Sequence, residues 1–457
     1  MASELSRMCP TVEELPDGWQ VKRLGSFCIK VGTGATPRGG SEVYLDSRLS
    51  HALVRSQNVF DRHFDSAGLA FISAAHAVEL RNAEVQAGDV LLNITGDGVT
   101  FGRACIVPDD VLPACVNQHV SIIRPDRSEC DPGYLLAVLT HPATKGYIES
   151  FNSGGSRRAI TKGHIESFEI PLPPLGEQKA TAQVLGALDD KIELNRQMNA
   201  TLEAMARALF QSWFVDFDPV RAKLDSRQPF GVDPATAALF PAAFQTTAAG
   251  HIPEGWTVKP VGEVADCVGG GTPSTAEPKY WKGGTHHWTT PKDFSSLQAP
   301  ILLETGRKLT DAGISKISSG LLPAGTLLLS SRAPVGYLAV AAMPVAINQG
   351  FIALKCNERA SNFFMLNWCQ TNMAEIESRA TGTTFPEISK QNFRPIQMVL
   401  PPEEIMTAFT AKVAPFYEQI TANLRQSRSL ANLRDALLPK LLSGELDVGH
   451  AATQIER

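Results

Sequence analysis

The chain has no apolar run long enough to cross a membrane; the longest candidate, Leu338 to Ile347, is interrupted by Pro344. Its opening, MASELSRMCP, lacks a basic end followed by an apolar core, so no signal peptide is read there and the expected location is the cytoplasm. The eight cysteines include no C-x-x-C and no Cys/His ladder, which argues against a disulfide framework or zinc module and for scattered reduced thiols. A phosphate-cradling G-x-x-x-x-G-K-[ST] loop is missing. The glycine-rich pieces, Gly32 to Gly34 and Gly269 to Gly271, run into Thr-Pro and do not open a helix, so they read as turns and not as a dinucleotide fingerprint. H-E-x-x-H is absent, and His286-His287 has no third ligand at useful spacing, so no metal is expected. No G-x-S-x-G elbow occurs. Asp189, Asp190 and Glu193 lie along one helical stretch and read as a solvated face rather than an acid/base pair. The expectation is a chain with no catalytic residues and no cofactor of its own.

What the chain does have is length, said twice. Its 457 residues exceed one core and imply two to four domains, and 43% hydrophobic content is that of an ordinary globular protein. The stretch from Glu177 to Phe217 has no Pro, only Gly186, and many strong helix formers. Leu185, Leu188, Ile192, Leu202 and Leu209 mark the seam of a helix that pairs with another helix, interrupted by Asn195 and Asn199. Roughly 35 helical residues at 1.5 Å rise make a rod of about 50 Å. A second such stretch, Glu404 to Leu442, carries Val413, Phe416, Ile420, Leu430 and Leu437. Both follow a double proline, Pro173-Pro174 and Pro401-Pro402. The shift between these (401 − 173 = 228) lays Leu188 on Phe416, Ile192 on Ile420, Asn195 on Asn423, Leu202 on Leu430 and Leu209 on Leu437. Two such seams predict one coiled coil, with the Asn pair as a register device.

The repetition extends beyond the helices. LPDGWQVKRLGSF, from Leu15, returns as IPEGWTVKPVGEV, from Ile252. Each leads into a turn, Gly34, Thr36 and Pro37 in one and Gly271, Thr272 and Pro273 in the other. AGDVLLNITGDGVTFGRACIVP and AGTLLLSSRAPVGYLAVAAMP both read as hairpins, and Asn117-Gln118 returns as Asn348-Gln349. Arg38 to Ala87 and Ser274 to Ala324 share little. A period near half the chain means a duplicated domain-plus-helix rather than a solenoid. The predicted fold is α+β. Two tandem mixed α/β domains, 1–172 and 252–400, are each followed by a long helix, 173–217 and 401–446, with a linker at 218–251 and a tail at 447–457. The helices are expected to pair antiparallel, with pseudo-twofold symmetry.

With no catalytic motif in view, binding remains. Gly allows close backbone approach, hydroxyls and Arg suit phosphate oxygens, Arg also suits guanine, and Asn and Gln suit adenine edges. The candidate DNA-binding residues of the first half are Thr36, Arg38, Arg55, Gln57, Asn58, Thr95, Asp97, Asn117, Gln118, Ser156, Arg157 and Arg158. Those of the second half are Thr272, Ser274, Thr290, Lys292, Ser331, Arg332, Asn348, Gln349, Thr381, Thr383 and Thr384. Two readings stay open for the Asn-Gln pairs, base contact or a strand-end hydrogen-bonding pair that holds a loop. Arg55 to Asn58 and Thr290 to Asp293 are either base contacts or ordinary exposed turns. The net charge of −5 counts against an independent nucleic-acid binder without excluding one, because local fields outweigh the total.

Taken together, several stretches resemble the DNA-specificity subunits of Type I restriction–modification enzymes. They are Pro16-x-Gly-Trp19, Val90 to Leu92, Asn117-Gln118, the Ile170 to Gln178 helix entry, Leu209 to Pro219, and Leu441 to Leu446. The second half departs at Glu403-Glu404-Ile405, where the resemblance leads one to expect Glu-Gln. The resemblance implies two target-recognition domains reading the halves of a bipartite asymmetric site in double-stranded DNA, with the helices as a ruler for the unread gap. It also implies catalysis on partners: two modification subunits that methylate adenine with S-adenosylmethionine, and two restriction subunits that use ATP and Mg. A self-contained methyltransferase would need Asn before its Pro-Pro-aromatic motif, and neither Pro173-Pro174 nor Pro401-Pro402 has one. A protein–protein scaffold, or an orphaned subunit without restriction, is the competing class.

Overall fold

The structure, a computed structural model, describes residues 16–96, 99–151, 158–248, 250–382 and 384–446. The chain forms two compact units, one of Met1–Glu193 with Ser427–Arg457 and the other of Leu194–Gln426.

The first unit contains strands β1 (Cys28–Thr33), β2 (His51–Val54), β3 (Ala70–Ile72), β4 (Glu84–Val85), β5 (Val90–Asn93), β6 (Ala104–Ile106), β7 (Ala114–Val116) and β8 (Val120–Pro125). They make two sheets, ordered β6-β5-β8-β1 and β3-β2-β7-β4. Within the second sheet β2 and β7 run parallel. The run Val-Leu-Leu-Asn of β5 is buried on both faces, as a short continuous apolar strand requires. Successive residues face opposite ways. Val90 and Leu92 join a core with the helix Pro132–Thr140, while Leu91 joins the core of the second sheet. The first sheet is therefore the middle of three layers.

The second unit repeats this plan with β9 (Asp266–Gly269), β10 (His286–Thr289), β11 (Ile301–Leu302), β12 (Arg307–Leu309), β13 (Leu327–Ser331), β14 (Val335–Ala341), β15 (Val345–Ile347) and β16 (Phe351–Lys355). Its sheets are β9-β16-β13-β14-β11 and β12-β10-β15. Leu327 and Leu329 face one core and Leu328 another, as in β5. Both sequence-predicted hairpins form, as β5-β6 and β13-β14. Residues 218–251, expected to be a linker, are instead folded. They form helices Asp218–Leu224 and Pro234–Leu239 and a strand hairpin, and Val220, Val232, Ala237 and Phe240 lie in the core of the second unit. Phe240 and Ala237 pack inward, Phe240 meeting Trp213 edge-on at 5.1 Å, while Phe230 stays exposed.

The long helices are α1 (Leu175–Phe214) and α2 (Glu403–Leu442). In the first unit the start of α1 meets the end of α2. Leu185 shares a core with Leu437, Leu438, Leu441 and Leu442, and Asp189 Oδ1 accepts from Arg434 Nη1 at 2.8 Å. In the second unit Asn195 meets Gln426, Asn199 meets Asn423, and Phe210 meets Phe409. Falling numbers on one helix meet rising numbers on the other, so the pairing is antiparallel in each unit. Of the seam residues, Leu185, Val413 and Ile420 are fully buried, while Leu188, Ile192, Leu202, Leu209, Phe416, Leu430 and Leu437 are half-buried.

The seam asparagines are buried and bonded. Asn423 Nδ2 donates to Asn199 Oδ1 at 2.9 Å and Asn423 Oδ1 accepts from Gln419 at 2.7 Å. Asn195 Nδ2 donates to Gln426 Oε1 at 2.9 Å. Asn423→Ala is expected to cost about 1–3 kcal/mol, because the Asn199 amide would be left buried without this donor. Urea unfolding measures it, and a loss near zero would mean that the polar seam contributes nothing to stability.

The expected solvated acidic face is corrected for Asp189. Its carboxylate also accepts from Arg62 Nε at 2.6 Å, and side-chain exposure is 16% for Asp189, 7% for Arg62 and 19% for Arg434. The described cysteines are all free, and burial pushes the Cys28 and Cys356 thiols up to about 12.

Candidate nucleic-acid interface

In each unit the parallel strand pair ends at a polar turn built the same way. A Cβ on Gly34 would lie 1.8 Å from the Val116 carbonyl oxygen, and one on Gly270 would lie 2.0 Å from that of Ile347. Glycine alone lets the chain after β1, or after β9, lie against the end of β7, or of β15. That approach brings Thr36 Oγ1 to donate to Gln118 Oε1, and Thr272 Oγ1 to donate to Gln349 Oε1 at 2.6 Å. All four of these residues are exposed.

The asparagine before each Gln holds the loop. Asn117 Oδ1 accepts from His119 N at 3.0 Å, and Asn348 Oδ1 from Gly350 N at 2.8 Å. Their own N–H groups donate across to Val54 and Thr289 carbonyls, at 3.0 and 3.1 Å. In each dipeptide the Asn makes the hydrogen bonds that hold the loop, and the Gln stands at the surface.

In the first unit the polar row continues. Gln118 Nε2 lies 3.2 Å from His119 Nε2, and His119 Nδ1 lies 2.6 Å from Thr95 Oγ1. The strand Thr95–Gly96 pairs with Arg158–Ala159, and Arg158 is ion-paired with Glu149 at 3.2 Å. His119 was missed in the sequence; its only signal is that it stands where the repeat has Gly350. Arg38 and Gln57 are exposed. Arg55 donates to the Gly68 carbonyl at 2.5 Å and lies 5.6 Å over the Tyr44 ring. Asn58 leaves the surface set. It is 0% exposed and donates to Asp65 and Ala67 carbonyls while accepting from Arg55 N, because the turn needs its side chain as a cap. Asp97, Ser156, Arg157 and Thr383 lie outside the described residues.

The second unit uses the same cap with other residues. Thr290 N and Oγ1 both donate to Asp293 Oδ2, at 2.7 and 3.1 Å, and Lys292 is exposed beside them. Ser331 is buried, its backbone engaged by Gly350 and Ile388, so it too leaves the surface set. Arg332 is ion-paired with Glu387 at 3.5 Å, and Thr381 pairs with Glu387 through the backbone. Ser274, Thr381 and Thr384 are exposed.

Neighbours on one strand, His286 and His287 go different ways, to Asp311 at 2.7 Å and Thr305 at 3.2 Å. Burial, with Lys308 nearby, holds His287 below its ordinary value. Among the described residues no cluster of His, Cys, Asp or Glu could hold a metal ion, and no helix is long and apolar enough to cross a membrane.

Two units with a common core of seven matching strands, each with the same Thr–Gln clasp at the same sheet end, define an internally duplicated chain. Residues 16–204 and 253–427 each match the Type I restriction modification DNA specificity domain, and the chain belongs to that family of specificity subunits. It is 26% identical over 405 residues to the Type I restriction enzyme HindI specificity subunit of Haemophilus influenzae, covering 79% of this chain and 87% of that one. To the Type I restriction enzyme MjaVIII specificity subunit of Methanocaldococcus jannaschii it is 22% identical over 451 residues, covering 95% and 94%. The crystal structure of a Type-I restriction-modification system S subunit from M. genitalium shares the fold, with TM-score 0.56 at 13% identity over 94% of this chain and 97% of that one.

Proposed function

We propose that this chain is the DNA-reading subunit of a Type I restriction–modification complex, in which each unit reads one half of a bipartite asymmetric site. The observation that carries this is the repeated clasp. The same scaffold presents Thr36 with Gln118 and Thr272 with Gln349, and surrounds them with unlike residues. Repeated scaffolds suit two readings of one kind, and unlike surroundings suit two different sequences. The exposed Gln118, Gln349, Arg38, Gln57, Lys292 and Thr384 are the proposed DNA contacts, with Thr36 and Thr272 orienting the glutamines. Arg158 and Arg332, each already ion-paired with a glutamate, are left out of the proposed contacts.

On this reading α1 and α2 fix the unread gap. The chain is not itself catalytic and binds no cofactor. Two modification subunits would methylate adenine with S-adenosylmethionine, and two restriction subunits would use ATP and Mg. A net charge of −5 fits a subunit whose partners supply part of the basic clamp.

The test is a map of adenine methylation in the source strain with and without the gene. Loss of one gapped motif with two unlike half-sites is the expected result. A palindromic motif would overturn the two-reader model, and an unchanged map would favour a scaffold or an orphaned subunit.

A further inference from the structure

We infer that Arg307 reads a guanine within the half-site of the second unit; this rests on the reading of the chain as a sequence-specific DNA subunit. Arg307 opens β12 directly across the ladder from Trp288 on β10. Its guanidinium lies 3.6 Å from the centre of the Trp281 ring and 5.3 Å from that of Trp288. The two indoles meet edge-on at 5.0 Å. Neither ring is free to turn. Trp281 Nε1 donates to the Ser274 carbonyl at 2.9 Å, and Trp288 Nε1 to the Gly271 carbonyl at 3.1 Å, so both are pinned to the turn that carries Thr272.

Arg307 is thus held over the Trp281 ring and yet uncommitted. It is exposed, and among the described residues no acceptor or carboxylate engages its side chain. Arg55, Arg158 and Arg332 each spend theirs on a carbonyl or a carboxylate. A stacked guanidinium presents its donors as a rigid fork, the shape that matches O6 and N7 of guanine. With Trp288, Thr290 and Lys292 it lines a groove of about 690 Å³. Asp293 and Glu304 line the same groove. The two carboxylates offset Lys292 and Arg307, so the groove has no excess positive charge to draw a phosphate, which leaves a base edge as the better occupant.

The first unit lacks the device. The equivalent ladder pair is Leu53 opposite Ala70, both buried. The reading therefore belongs to one half-site only.

The experiment uses the full chain in complex with its partner subunits and compares Arg307→Ala and Arg307→Lys with the unaltered protein, on a library of DNA sites at two salt concentrations. Arg307→Ala is expected to reduce discrimination at one G·C position by roughly 10- to 100-fold, leaving the other half-site untouched. Arg307→Lys keeps the charge and loses the fork, so it should lose that discrimination too while retaining more affinity. An equal loss over all sequences with a shallower salt dependence would make Arg307 a phosphate contact and overturn the inference. Unchanged discrimination in both variants would overturn it as well. Absence of sequence preference in the unaltered complex would instead bring down the DNA-specificity reading on which it rests.

Discussion

Asp189→Ala should destabilise the first unit by about 3–5 kcal/mol, the range for removing one partner of a buried ionic group. The carboxylate serves two guanidinium groups at once, Arg62 Nε at 2.6 Å and Arg434 Nη1 at 2.8 Å. Neither arginine can turn readily to water. Arg62 is held in a left-handed backbone conformation, φ 59°, at the bend between strands Val59–Phe60 and His63–Phe64, and also donates to Thr140 Oγ1 at 3.0 Å. Arg434 keeps a second carboxylate, Asp435, at 2.8 Å, so the larger share of the loss falls on Arg62. Asp190, one residue on, is exposed, and Asp190→Ala should change stability by no more than about 0.5 kcal/mol. Urea or thermal unfolding of the two variants decides the matter. Equal behaviour would mean that Asp189 is solvated in practice.

On the function proposed above, lengthening the helices is expected to move the target to one with a wider gap. Seven residues inserted at facing positions of both α1 and α2 preserve the seam, because seven is one period of the heptad. At 1.5 Å rise the insertion adds about 10 Å, or roughly three base pairs at 3.4 Å each. Methylation at the original site should vanish and reappear at the same two half-sites with a gap wider by that amount. A changed half-site with an unchanged gap would remove α1 and α2 from the role of ruler.

The helices were legible because their information is local and periodic. The leucine seam and its shifted copy matched Asn195 to Asn423, whereas side chain to side chain Asn423 meets Asn199 and Asn195 meets Gln426. The clasp was half legible. Thr36 and Gln118, and Thr272 and Gln349, stood out as repeats, but nothing in the sequence said that each Thr donates to its Gln. What escaped depends on distant partners. Asp189 read as solvated because Arg62 lies 127 residues before it and Arg434 lies 245 after it. Asn58 read as an open turn because a buried cap and an exposed one have the same local sequence. Arg307 was not singled out because its worth comes from Trp281 and Trp288, which only the ladder and the turn bring beneath it.

The first unit is discontinuous, and this bears on how the chain is made. Translation delivers every residue of Leu194–Gln426 before it begins residues 427–446, whose leucines and Arg434 the first unit uses. A nascent chain at that point holds every core residue of the second unit, Trp213 and Phe409 among them. The first must wait, with Leu185 still lacking Leu438, Leu441 and Leu442, and Asp189 lacking Arg434. The half whose synthesis starts first is therefore the half whose last piece is made last.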